Sequence, residues 1–295
     1  MNEKNGNKRG LSAAAGGTLS LGGELTVNRL GFGAMRITGE GIWGPPKDRM
    51  AAIAVLRRAV ELGVNFIDTA DSYGPFVSEE LIAEALAPYP KDLVIATKGG
   101  WNRPGPNQWT HDASPVHLRK AVEGSLKRLR LERIDVYQLH APDPAIPFNA
   151  SIETLPHMQS EGKIGLIALS NITVEHIERA RNIVPIVSVQ NRYSFADREW
   201  DNVIDYCERN HIAFIPWFPL AAGTVADKAL DRIGKAVHAK SIQVALAWLL
   251  KRSPIMLPIP GTSSITHLEE NVEAASMQLT DEEYMELNGV AALAS

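Results

Sequence analysis

The sequence predicts an α/β chain closed into a (β/α)8 TIM barrel, and three observations carry that expectation. Short apolar runs alternate with stretches of helical periodicity, eight such runs can be counted, and 295 residues suit one large barrel. A strand, a helix and the next strand repeated in this way imply parallel strands joined by right-handed crossovers. The rival open sheet loses ground at Gly31-Phe32-Gly33, because no glycine follows three residues on to complete a dinucleotide fingerprint.

Taken in order, residues 1–17 read as a mobile tail, and residues 18–295 as a single barrel domain with no linker inside it. TLSLGGELTV alternates around Gly22-Gly23 and reads as a β-hairpin that can plug the N-terminal end of the barrel. The strands fall at residues 30–35, 65–68, 93–97, 134–139, 164–169, 186–190, 213–216 and 255–259. Between them, Asp48 can cap a helix bearing Ile53 and Leu56, and Ser78 one bearing Leu81, Ile82 and Leu86. Ser114-Pro115 is a cap followed by a proline at the first helical position. Helical periodicity returns near residues 152–160, 174–180, 200–209 and 241–251, and a short extra helix is expected at 280–289 behind a TDEE start.

Composition narrows the function. A net charge of -4 gives no basic footprint for nucleic acid. No apolar run approaches the roughly 20 residues that span a bilayer. The single Cys207 excludes an intrachain disulfide and fits a reducing, cytoplasmic compartment. No HExxH, CxxC or clustered His and carboxylate motif points to a metal.

In a barrel, chemistry sits at the strand C-termini and in the loops after them. There the chain places Asp68 and Tyr73 (FIDTADSYG), Lys98 (VIATKGG) and His140 (VYQLHAPD) on consecutive strands. Ser170-Asn171, Gln190-Asn191, Trp217 and Gly261-Thr262-Ser263 stand at later exits. Each has a plain structural alternative: Asp68 as a cap, Tyr73 as turn packing, His140 as a hydrogen-bonded core residue. Lys98 is more telling, because an ammonium at the inner rim needs a partner, and Asp68 is the natural one. A free phenol has a pKa of about 10, and an adjacent ammonium is expected to lower it toward a useful acid. His140 can then hold a substrate oxygen, and the set suits protonation of a carbonyl while a bound cofactor supplies hydride.

These stretches, with LGFGAM, GKIGLIALSN, IPWFPLAAG and LPIPGTSSITHLEENVEA in the same order, resemble the aldo-keto reductase family along nearly the whole chain. The resemblance implies a barrel that binds NADP(H) without a Rossmann fold. It also implies a catalytic tetrad carried here by Asp68, Tyr73, Lys98 and His140. Ser170, Asn171 and Gln190 match the positions that hold the nicotinamide carboxamide, and Trp217 the aromatic stacked on the ring. Phe218, Leu220 and Ala222 match the pyrophosphate segment; Gly261, Thr262, Ser263 and His267 the 2′-phosphate region; Glu270 and Asn271 the adenine contacts. Many members carry a lysine or arginine where this chain has Ser263 and an arginine where it has His267, so NADPH is the first expectation and NADH the second.

For the small-molecule carbonyl substrate, Trp101 and Trp109 in GGWNRPGPNQWTHD can line an apolar slot, with Phe148 in the next loop. The GIWGPPKDR segment resembles a microbial branch that includes pyridoxal reductases, so a pyridoxal-like aromatic aldehyde and a bulky ketone are the two candidate classes. Two rival functions stand beside the reductase: a Schiff-base aldolase using Lys98, and a non-enzymatic cofactor-sensing subunit. Oligomeric state and reaction direction are not legible here.

Overall fold

The computed structural model of the chain describes residues 10–220 and 228–292. After a 3-10 turn at Ala13–Gly16, β1 (Thr18–Leu21) and β2 (Leu25–Asn28) pair antiparallel. Gly22 and Gly23 turn that hairpin at φ +60° and +76°, backbone values that a side chain would resist. Next come β3 (Phe32–Gly33), α1 (Arg49–Glu61), β4 (Phe66–Asp68), α2 (Val77–Leu86) and β5 (Val94–Gly99). A second antiparallel hairpin follows, β6 (Trp101–Gly105) with β7 (Gln108–His111), and then α3 (Pro115–Leu129) and β8 (Ile134–Leu139). The chain continues through α4 (Phe148–Ser160), β9 (Ile164–Ser170), α5 (Val174–Arg181), β10 (Ser188–Arg192), α6 (Asp201–Arg209) and β11 (Ala213–Trp217). It ends with α7 (Lys228–Ala236), α8 (Ser241–Arg252), α9 (Ile265–Glu273) and α10 (Asp281–Ala292).

Seven parallel strands run in the order β3-β4-β5-β8-β9-β10-β11, and the expected eighth run closes the gap without forming a regular strand. Its backbone still bonds both edges: Phe214 N–H donates to Ile255 O and Leu257 N–H to Phe214 O, each at 2.9 Å, while Gly31 N–H donates to Pro258 O at 2.9 Å. Pro258 and Pro260 carry no N–H, so a continuous ladder cannot form there. The first expected strand is likewise shorter, because residues 34–37 turn into a 3-10 helix.

Caps mostly follow the sequence. Asp48 accepts from Ala51 N–H at 2.9 Å and Ser114 from His117 N–H at 3.3 Å. At the last helix, Thr280 and Glu283 exchange both bonds of a capping box. Ser78 is the exception. It lies inside α2, fully buried, where its hydroxyl donates to Ala34 O and accepts from Thr69 Oγ1, while Phe76 at φ +73° precedes the helix. The turn into α2 is set by Gly74 at φ +102°, where a Cβ would lie 2.5 Å from that of Val77. Part of the expected tail is also built structure: Ala13 is fully buried and its N–H donates to Leu62 O at 2.8 Å. Residues 1–9 of that tail lie outside the described residues.

Inside the barrel, Phe66, Val94, Val136, Leu166, Ile215 and Leu257 pack in one apolar cluster with Leu21 and Val27 of the first hairpin. The hairpin therefore seals the lower end, with Leu21 and Val27 fully buried and Leu19 and Leu25 packed against the same cluster. Cutting Leu21 to alanine should destabilise the fold by about 2–5 kcal/mol, the usual cost of an internal cavity. Urea unfolding measures this, and a loss below about 1 kcal/mol would mean the site collapses around the gap.

Candidate active site

Side chains on a strand alternate between faces, so the inward positions form layers. Phe66 is followed inward by Asp68, Val94 and Ala96 by Lys98, and Val136 by Gln138. Ala168 leads in the same way to Ser170, and Ile215 to Trp217. The lower layers are apolar and the top layer is polar, which places the candidate residues at one mouth.

Lys98 is fully buried and its ammonium meets three acceptors. Nζ donates to Asp68 Oδ1 at 2.5 Å, to Thr69 O at 2.8 Å and to Tyr73 Oη at 3.3 Å. Three donors on three oxygens leave the amine no lone pair with which to attack a carbonyl. The other oxygen of Asp68 accepts from Gln138 Nε2 at 2.7 Å and Gln190 Nε2 at 2.9 Å. A carboxylate taking three N–H donors is held as the anion that Lys98 needs. His140 sits against the phenol edge to face, with ring centroids 5.9 Å apart, and Ser72 Oγ lies 3.5 Å from its Nδ1.

The electrostatics differ from the sequence expectation in one respect. Burial pushes the Tyr73 phenol above its ordinary value, and the pull of Lys98 only partly offsets that. Tyr73 therefore keeps its proton at neutral pH, and Lys98 reduces the cost of giving it up. Lys98 itself is raised: burial works against the ammonium, but Asp68 and Tyr73 outweigh it. His140 is held well below the ordinary histidine value by burial and then by Lys98, so the ring is neutral. Asp71, two residues before Tyr73, is driven well above its ordinary value by burial and by Glu79, and its backbone N–H donates to Lys98 O at 3.2 Å.

The other expected positions separate into two groups. Asn171 N–H donates to Gln190 O, and its side chain bonds His140 O at 2.9 Å, Ser170 Oγ at 3.1 Å and the indole N–H of Trp217 at 3.0 Å. Ser170, Asn171, Gln190 and Trp217 are thus one connected cluster beside the tetrad. Phe218 follows at φ +59° with its ring 6.3 Å from that of Trp217, and Leu220 packs on the apolar core. Ala222 lies outside the described residues. Gly261 approaches Gly33 so closely that a Cβ there would be 2.4 Å from Gly33 O. Thr262 Oγ1 accepts from Ser264 N–H, and Ser264 caps α9; Ser263 and His267 are exposed at its start, with Glu270 and Asn271 further along.

Of the two tryptophans expected to line a substrate slot, Trp101 meets His140 in a T-shaped contact at 6.3 Å between ring centroids, and Trp109 stands 5.9 Å from Trp101. Phe148 begins α4, is 8% exposed and packs on His176 in the helical layer. Gln138 was missed by sequence reading, although its two-residue phase with Val136 and His140 marks it. The hairpin formed by β6 and β7 was missed as well, because WNRPG contains a proline and lacks clean alternation.

Comparison with known proteins follows the same lines. The model of the aldo/keto reductase family matches residues 29–292. An uncharacterized oxidoreductase of Schizosaccharomyces pombe is 50% identical over 280 residues, covering 94% of this chain and 91% of that protein. Pyridoxine 4-dehydrogenase of Escherichia coli is 45% identical over 276 residues, covering 91% and 96%. Among solved structures, an aldo-keto reductase from Klebsiella pneumoniae in complex with NADPH superposes with a TM-score of 0.80 at 25% identity, over 93% of this chain and 94% of that one.

The neutral His140 has a measurable consequence. Its folded pKa is depressed, so the unfolded chain binds the extra proton as pH falls below about 6.5. The stability it contributes is complete above that value and is lost as pH falls through the depressed folded value. Urea unfolding between about pH 8 and pH 5 should show declining stability, with a shallower decline in His140→Gln. Equal slopes in the two proteins would contradict a neutral buried ring.

Proposed function

The chain belongs to the aldo/keto reductase family, and from that premise we propose that it is an NADP(H)-dependent enzyme reducing an aldehyde or ketone to the alcohol, with Tyr73 as proton donor. The observation that carries the reading is the Lys98 cage, with the phenol oxygen 3.3 Å from a fully buried ammonium. A dinucleotide fits the residues present. Glu270 Oε2 and Asn271 Oδ1 are buried acceptors with no hydrogen-bond partner among the described residues, suited to the donors of an adenine ring. Ser170, Asn171, Gln190 and Trp217 would hold the nicotinamide, and the Thr262–Ser263–His267 region the 2′-phosphate through hydroxyls and the start of α9. NADH is the second candidate, since no arginine stands at positions 263 or 267. Bound there, the cofactor supplies hydride, which no side chain of this site can.

The chain's own residues do the rest. His140, neutral, donates an N–H to the carbonyl oxygen and orients it. Tyr73 passes its proton to that oxygen as negative charge develops. Lys98 stabilises the phenolate left behind, and Asp68, gripped by Gln138 and Gln190, keeps Lys98 charged and in place. The same pairing weighs against an aldolase, because an ammonium raised in pKa and fully engaged is a poor nucleophile.

For substrate, we favour a pyridoxal-like aromatic aldehyde. The similarity to pyridoxine 4-dehydrogenase and the Trp101 ring packed beside His140 support that class over a bulky ketone. Consumption of NADPH and NADH against a panel of aldehydes and ketones tests the whole reading, with pyridoxal expected to have the highest kcat/KM and NADPH to exceed NADH. No turnover by the intact chain would instead favour a cofactor-sensing role. Tyr73→Phe should lower kcat by roughly 10²- to 10⁴-fold, the range for losing a general acid, with cofactor affinity kept. Undiminished turnover would remove Tyr73 from that role.

A further inference from the structure

Arg103 belongs to β6, outside the tetrad and outside every position assigned to the cofactor, yet it is only 9% exposed. Its guanidinium donates to four backbone carbonyls. Nε bonds Gln108 O at 2.9 Å, Nη1 bonds Ile42 O at 3.0 Å and Ser72 O at 2.9 Å, and Nη2 bonds Gly41 O at 3.0 Å. These carbonyls come from three segments distant in sequence: the hairpin of β6 and β7, the loop after β3, and the loop between β4 and α2. Trp109 covers the guanidinium at 3.7 Å and Trp43 lies at 5.7 Å. No carboxylate pairs with Arg103 among the described residues, so the charge is desolvated for carbonyls alone.

The carbonyl of Ser72 matters most, because Ser72 immediately precedes Tyr73. On the other side of Tyr73, Gly74 is tied to the same loop: Gly44 N–H donates to Gly74 O at 2.6 Å and Gly74 N–H to Ile42 O at 3.3 Å. Both neighbours of the phenol-bearing residue are thus fastened to residues 41–44, one of them through Arg103. Ser72 also carries the hydroxyl 3.5 Å from His140 Nδ1. A planar fork with five donors can serve these four carbonyls at once, and the three donors of a lysine cannot.

We infer that Arg103 is a positioning residue that couples the substrate-side hairpin to the Ser72-Tyr73 turn and fixes the phenol hydroxyl against Lys98. The inference rests on the proposed role of Tyr73 as acid. Its second consequence concerns Trp109, which acts here as the cover of the Arg103 clamp, one ring farther than Trp101 from His140.

The test is a double-mutant cycle on kcat for pyridoxal reduction. Arg103→Lys should lower kcat by about 10- to 100-fold, as misplacement of a reacting group by roughly 1 Å does. In a Tyr73→Phe background the same change should cost no more than about twofold, because the group being positioned is gone. Cofactor affinity, read by tryptophan fluorescence, should stay the same in all four proteins. Trp109→Leu, an exposed-side change that spares the guanidinium, should give a smaller loss that also vanishes with Tyr73→Phe, and it decides the matter if Arg103→Lys does not fold. An equal cost in both backgrounds, or no cost at all, overturns the clamp. Full turnover by Tyr73→Phe alone overturns the assigned acid first, and the clamp with it.

Discussion

A lysine ammonium with no exposed surface is tolerable only beside an anion, and the Asp68–Lys98 pair at 2.5 Å meets that demand. Most of the mouth of the barrel follows from it. Asp68 needs donors for its second oxygen, so Gln138 and Gln190 converge there from β8 and β10. Lys98 needs three acceptors, so Thr69 O and Tyr73 Oη are drawn in from the loop after β4. Removing either charge would strand the other in a dry interior at a cost of about 3–5 kcal/mol, which is why the pair is better read as a functional commitment than as a source of stability.

The phenol gains from this arrangement in two opposed ways. Burial alone makes Tyr73 a poorer acid than in water, and the ammonium beside it reverses part of that penalty. A group kept protonated until charge develops on the substrate, next to a fixed positive charge that stabilises its conjugate base, is suited to transfer a proton late. His140 is kept neutral chiefly by its own burial, and a second positive charge beside Lys98 would be unfavourable as well.

Much of this was legible in the sequence because strands repeat every two residues. The apolar runs located the barrel, and the polar residue ending each run located its mouth; Asp68, Lys98 and His140 followed, with Tyr73 from the turn behind them. Gln138 obeyed the same rule and was passed over only because it sits one step inside the strand. Other features depend on contacts that no local pattern encodes. The eighth segment bonds both edges as expected, but its prolines prevent a ladder. Ser78 resembles a cap, yet Gly74 and the left-handed Phe76 turn the chain so that α2 has already begun at Val77. The direction of the Tyr73 shift also needed the structure, because proximity to Lys98 is visible from strand order while the depth of burial is not. Arg103 is the extreme case: its four acceptors are all backbone carbonyls, which leave no trace in side-chain sequence.

The central claim is that Lys98 makes the Tyr73 phenolate less costly than the protein interior otherwise would. NMR titration of the Tyr73 ring, labelled with 13C at Cζ, in the intact chain and in Lys98→Met tests it directly. The phenol should titrate at a higher pH in the variant, since burial would then act unopposed. An unchanged or lower titration point would contradict the account and leave the buried lysine without its assigned purpose.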